Sequence, residues 1–156
     1  MLIELKRKAL EAHKTHCKTQ DRVLEWENIF DCSDNLAKFL DLDIGEESKK
    51  FINKMVDINV ALNLAYDQSK EKSDELALDY ALKKLGGKRG DILDYIDING
   101  KERAIVVKDA HLISGGDVAV TGTRFLKSGR IGRFGDYVYL DTFSWKLRGS
   151  NSSNLE

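Results

Sequence analysis

The sequence predicts an α+β protein: an acidic helical N-terminal region, then a small antiparallel β-meander or barrel of about five strands. Two observations predict it. Gly45 is the only glycine before residue 86, and the other eleven of the twelve follow. Apolar residues recur at helical spacing in the first half and in strand-like runs in the second. The predicted organisation is a helical region over 1–85, an antiparallel β module over 86–148, and a flexible polar tail over 149–156. The chain of 156 residues is 42% hydrophobic and 33% charged, a composition that excludes a disordered chain.

The elements follow in order. Leu2, Leu5, Ala9, Ala12, His16, Val23, Trp26 and Phe30 keep a heptad-like step. They predict one helix to about Asp31, or two broken near Thr19–Asp21. Ser33 or Asp34 is placed to cap a short helix through Leu40. A further helix is expected from Glu46 to about Lys72, with Phe51, Met55, Ile58, Leu62 and Ala65 as its apolar stripe. Asn53, Asn59 and Asn63 would then mark its polar face. Asp74 is the expected cap of a third helix, Glu75–Leu85, which buries Leu76, Ala77, Tyr80, Ala81 and Leu85. Gly86-Gly87 supplies the left-handed stop that helices favour.

Strands are expected over 91–98 and 101–107, joined at Asn99-Gly100, a common two-residue hairpin turn. Ala104–Val107 has the apolar run of a central strand. After a turn at Gly115-Gly116, strands over 118–127 and 130–140 form a second hairpin about Ser128-Gly129. Residues 141–147 continue as a last strand carrying Phe143 and Trp145.

No apolar run approaches the roughly 18 residues that a membrane helix needs. The first residues lack the basic-then-apolar layout of a signal peptide, so a cytoplasmic protein with no membrane partner is expected. Cys17 and Cys32 are too few for a disulfide framework and suit a reducing compartment.

The net charge of −1 conceals a segregation. Residues 21–82 carry fifteen acids against seven bases, whereas residues 101–150 carry nine bases against five acids. Either the two parts dock on each other, or one of them meets an outside anion.

The basic charge is patterned. Arg124, Lys127, Arg130 and Arg133 stand three apart in a glycine-rich stretch, with no acid between Asp117 and Asp136. If Ser128-Gly129 is a two-residue loop, Lys127 opposes Arg130 and Arg124 opposes Arg133. Such like-charge pairs are destabilising unless something negative lies nearby. Phosphate is one such partner: Arg and Lys grip the backbone, and Phe125, Phe134 or Tyr137 stack on unpaired bases. The expected function is therefore non-enzymatic binding, of DNA or RNA, through Arg124, Phe125, Lys127, Arg130, Arg133, Phe134 and Tyr137. The alternative is a protein-interaction or inhibitory, regulatory module that meets an acidic protein on the same surface. It would self-associate as a homodimer through its helices. The protein's own acidic helices, or plain solvation of the hairpin tip, would also account for the charges.

Other constellations are incomplete. His13, His16, Cys17 and Cys32 offer donor atoms for a metal but lack zinc-finger spacing. Residues 91–108 locally resemble the core of restriction-type metal nucleases: an acid on one strand, a hairpin, then an acid-x-lysine triplet. Asp94 and Lys108 match two places of that pattern. Val106 stands where the second acid belongs, and a metal-assisted hydrolase needs the complete ligand set. There is no phosphate-binding Gly-x-x-x-x-Gly-Lys loop, and Tyr95 stands where a calcium loop needs its first acid. No metal, no cofactor and no catalytic set is expected.

Overall fold

The computed structural model describes residues 1–30, 45–113 and 115–148. Helix α1 runs unbroken over Leu2–Phe30, and α2 runs over Glu46–Leu85. The two helices expected on either side of Asp74 are thus one helix of 40 residues. Neither glycine nor proline occurs between Glu46 and Leu85, so nothing removes a helical hydrogen bond there. Asp74 sits inside the helix, where every N–H already has a backbone partner, and it has no capping role. The short helix proposed over 33–40, Cys32 and the tail 149–156 lie outside the described residues.

The C-terminus of α2 ends as the glycines predict. Gly86 takes φ 66°, its N–H donates to Lys83 O at 3.3 Å, and the N–H of Gly87 donates to Leu82 O at 3.1 Å. These bonds satisfy carbonyls that the helix leaves open.

Five strands follow: β1 Ile92–Ile96, β2 Glu102–Leu112, β3 Val118–Phe125, β4 Ile131–Tyr139 and β5 Trp145–Leu147. They form one antiparallel sheet in the order β4-β3-β2-β1-β5. The sheet is open, not a closed barrel, because β4 and β5 are edges that pair with no common neighbour. The meander holds through β4. The last strand then returns to pair with β1, matching Leu93 with Leu147 and Tyr95 with Trp145.

The hairpin turns are one residue longer than the sequence predicts. Leu126 N–H donates to Arg130 O at 2.9 Å, which leaves Lys127, Ser128 and Gly129 as the loop. Likewise Asp97 N–H donates to Lys101 O at 3.0 Å across Ile98, Asn99 and Gly100. Each loop ends in a glycine with positive φ, 80° at Gly129 and 72° at Gly100. A three-residue loop needs that left-handed residue at its third position, so the same glycine serves a longer turn.

The chain divides into two compact units, and both helices contribute to each. One unit comprises residues 1–12 together with residues from 72 onward. Its core joins Ala9, Ala77, Ala81 and Leu85 of the helices to Leu93, Ile105, Val107, Val118, Val120 and Val138 of the sheet. Side chains without bulk at positions 9, 77 and 81 let backbone come close, and each buried Leu, Ile or Val contributes about 1.5–3 kcal/mol. Asp141, just past β4, binds Lys6 of α1 at 2.7 Å and also Lys84 of α2.

The other unit is residues 13–71. The less exposed stripe of α2 here is Ile52, Met55, Asn59, Leu62, Tyr66 and Ser69. That corrects the predicted stripe, since Phe51 and Ile58 are exposed and Asn59 is half-buried. The stripe keeps strict three-four spacing but passes through polar residues, so hydrophobicity alone misplaces it. His16 packs on Tyr66 with ring centroids 5.0 Å apart, and its Nδ1 lies 3.3 Å from the Ser69 hydroxyl.

None of the described helices is long and apolar enough to cross a membrane.

Candidate functional site

The basic hairpin is formed by β3 and β4, with a register that differs from the predicted one. Ala119 pairs with Tyr139, Thr121 with Tyr137, and Thr123 with Gly135, and then Phe125 pairs with Ile131. Between the last two pairs β3 contributes Arg124 alone, while β4 contributes Gly132, Arg133 and Phe134. This bulge in β4 together with the longer turn removes both predicted like-charge pairs. Arg124 does not oppose Arg133, and Lys127 does not oppose Arg130. Gly132 fits beside Arg124 because a Cβ there would meet Arg124 O at 3.2 Å.

Arg124 has its own acid. Its Nε donates to Asp136 Oδ2 at 2.8 Å. The same oxygen is 3.5 Å from Arg103 Nη1, and Arg103 Nε donates to Asp97 Oδ2 at 2.7 Å. The result is a row of alternating charges: Asp97, Arg103, Asp136, Arg124. Burial works against the Asp136 carboxylate, but the nearby Tyr95 hydroxyl and the hydrogen bonds from Arg124 and the Tyr137 N–H hold its pKa below the ordinary value. Asp97 is also held low, mainly by the Lys101 N–H. Tyr95 is pushed up, first by burial and then by Asp136. Its buried hydroxyl meets no partner at hydrogen-bonding geometry, although the Asp136 carboxylate is close enough to keep it protonated.

The other three cations are different. Lys127, Arg130 and Arg133 are exposed and make no ion pair among the described residues. Phe134, next to Arg133 in β4, is 73% exposed and Tyr137 is 49% exposed. Leu126 and Ile131 of the same hairpin are exposed as well.

The seven predicted residues do not make one cluster. Arg124, Arg133 and Tyr137 line a groove of 810 Å³ floored by Thr121, Gly122 and Thr123. Lys108, beside the irregularity that β2 shows between Val107 and Asp109, lines the same groove. Phe125 and Lys127 line a separate cavity of 740 Å³ with Asp94, Glu102, Ala104 and Arg148. Arg130 and Phe134 line neither.

Sequence reasoning missed Arg148 and Glu102. Arg148 Nε and Nη2 donate to the two oxygens of Asp94, each at 2.6 Å, and its guanidinium carbon lies 5.5 Å from the Phe125 ring centroid. Nothing local in the sequence marks Arg148. It reaches Asp94 only because β5 returns to the edge of β1. The nuclease-like pair is separated: Asp94 lines the cavity and is paired with Arg148, while Lys108 lines the groove. Cys17 Sγ lies 3.6 Å from His13 Nε2, and no group of three or more metal-binding side chains occurs among the described residues.

Comparison with protein-family models, curated proteins and solved structures finds no match for this chain.

Proposed function

We propose that the protein is a non-enzymatic binding protein that holds single-stranded nucleic acid along the exposed side of the β3–β4 hairpin. The observation that carries this is the set of three cations, Lys127, Arg130 and Arg133, exposed and without ion pairs among the described residues, in one hairpin with a Phe134 that is 73% exposed. Unpaired cations attract phosphate and release its counterions, and an exposed ring gives a base a surface to stack on. Arg124 is not assigned a phosphate, because Asp136 already neutralises it.

Fluorescence anisotropy with labelled single-stranded DNA and RNA tests the proposal. Three neutralised phosphates give a log–log salt slope of about −2, from roughly 0.7 per phosphate on a single strand. Replacing Lys127, Arg130 and Arg133 with Ala together should flatten that slope and abolish binding at low salt. An absence of binding by the unchanged protein at low salt overturns the proposal.

A second reading is favoured by Leu126 and Ile131, which are 44% and 54% exposed in the same hairpin. An acidic protein with apolar anchors would use them, and an apolar anchor makes binding tolerant of salt. Self-association through the helices is a further proposal. Phe51 and Val60, at 63% and 61% exposed, are residues that a second copy would cover, and light scattering reads it.

A further inference from the structure

Phosphate binding alone leaves the 740 Å³ cavity unexplained. Its most specific feature is Arg148. Two hydrogen bonds to Asp94 hold the edge of the guanidinium, and the Phe125 ring lies against it at 5.5 Å. A side chain that is ordinarily mobile becomes a fixed flat plate. The plate is still accessible, since the Arg148 side chain is 49% exposed. Glu102 belongs to the same lining, exposed and without an ion pair among the described residues. Ile96 and Ala104 add apolar surface. Lys127 and Gly129 of the hairpin turn belong to the same lining, so the cavity opens beside one of the unpaired cations.

These parts match one ligand chemistry. Guanidinium planes stack on unpaired bases as aromatic rings do. A free carboxylate accepts from an exocyclic amino group. The volume falls in the range of roughly 300–1,000 Å³ typical of small-ligand sites. We propose that this cavity holds one unpaired nucleobase bearing an exocyclic amino group, stacked on Arg148 with its amino group donating to Glu102, while Lys127 holds the adjoining phosphate. The proposal rests on the strand-binding function above and adds a base-selective subsite to it.

The test uses the full chain and three labelled strands of equal length: oligo-dC, oligo-dT and an abasic strand with the same number of phosphates. The unchanged protein should bind oligo-dC roughly tenfold more tightly than the abasic strand, the low end of what stacking of one base contributes. Arg148→Lys keeps the charge but removes the plate. It should lower oligo-dC toward the abasic level, leaving only what stacking on Phe134 contributes, and leave the salt slope unchanged. Glu102→Ala, at a side chain with no structural ion pair, should remove the preference for oligo-dC over oligo-dT. Equal binding of oligo-dC and oligo-dT, both above the abasic strand, with neither advantage changed by Arg148→Lys, overturns the subsite and leaves strand binding through the cations and Phe134 intact. So does a full oligo-dC advantage in both variants. No binding of any strand at low salt overturns both. Urea midpoints of the two variants show whether a loss reflects unfolding, and Glu102→Ala carries the test if Arg148→Lys is unstable.

Discussion

Arg124 Nε donates to Asp136 Oδ2 at 2.8 Å, across the hairpin from strand to strand. The contact resolves a conflict in the sequence, where four cations three apart call for a nearby anion. One of the four has an internal acid, and that acid also serves Arg103. Asp136→Ala should therefore lower stability by about 1 kcal/mol, because it leaves Arg124 without its acceptor and Arg103 with Asp97 alone. Arg133→Ala, at an exposed side chain without an ion pair among the described residues, should change stability by less than about 0.5 kcal/mol. Urea unfolding of the two variants checks the contrast. A larger loss for Arg133→Ala would mean that the pairing is wrong.

Two glycines of the same hairpin should fail for different reasons. A Cβ on Gly122 would lie 2.0 Å from Val106 O, backbone of the neighbouring strand that has no room to move. Gly122→Ala should cost roughly 3 kcal/mol or more, as severe overpacking does. A Cβ on Gly129 would meet nothing within 4 Å, but φ there is 80°. Gly129→Ala should cost only about 1–2 kcal/mol, the strain of a left-handed conformation. Thermal melts of the two variants should rank them in that order.

Much of the fold is legible in the sequence because its signals are local. The stop at Gly86-Gly87, the buried Ala77, Tyr80, Ala81 and Leu85, and the central position of residues 104–107 all follow from spacing within a few residues. What is not legible depends on distant partners or on a count of one. A turn glycine marks a loop without fixing its length, and one extra residue moves every cross-strand pair. The predicted pairing of Arg124 with Arg133 was lost in that way, and with it the reason to expect an external anion at Arg124. The place of β5 beside β1 decides whether Arg148 meets Asp94, and residues 141–147 carry no signal for it. The four cations and three aromatics are legible as one segment, while their division among a groove, a cavity and an internal ion pair depends on contacts between distant residues.

Asp74 gives a prediction in the opposite direction from sequence intuition. As the cap of a separate helix it would contribute about 1 kcal/mol, and Asp74→Ala would remove that. Inside a continuous α2 no open N–H awaits it. Alanine is the better helix former by several tenths of a kcal/mol, so Asp74→Ala should leave stability unchanged or slightly raised. Circular dichroism during a thermal scan measures this. A clear loss would show that α2 is broken near residue 74.

Asp141 links pH to the joining of helix and sheet. Hydrogen bonds from Lys6 and Lys84 hold its carboxyl below the ordinary value of 3.8. A depressed carboxylate contributes stability that is present above the unfolded value and is lost as pH falls through the lower folded value. The Asp141 contribution should therefore be constant near neutrality and decline below about pH 4. Lys6 is raised above 10.5, mainly by its hydrogen bond to Asp141, so its contribution is full below that value and declines as pH rises beyond it. Asp141→Asn removes the charge that both lysines meet. It should lower the urea midpoint at pH 7, and the difference from the unchanged protein should shrink toward pH 2. Urea unfolding at pH 2, 3, 4 and 7 measures that convergence. A difference that stays constant down to pH 2 would show that Asp141 acts through shape or packing and not through its charge.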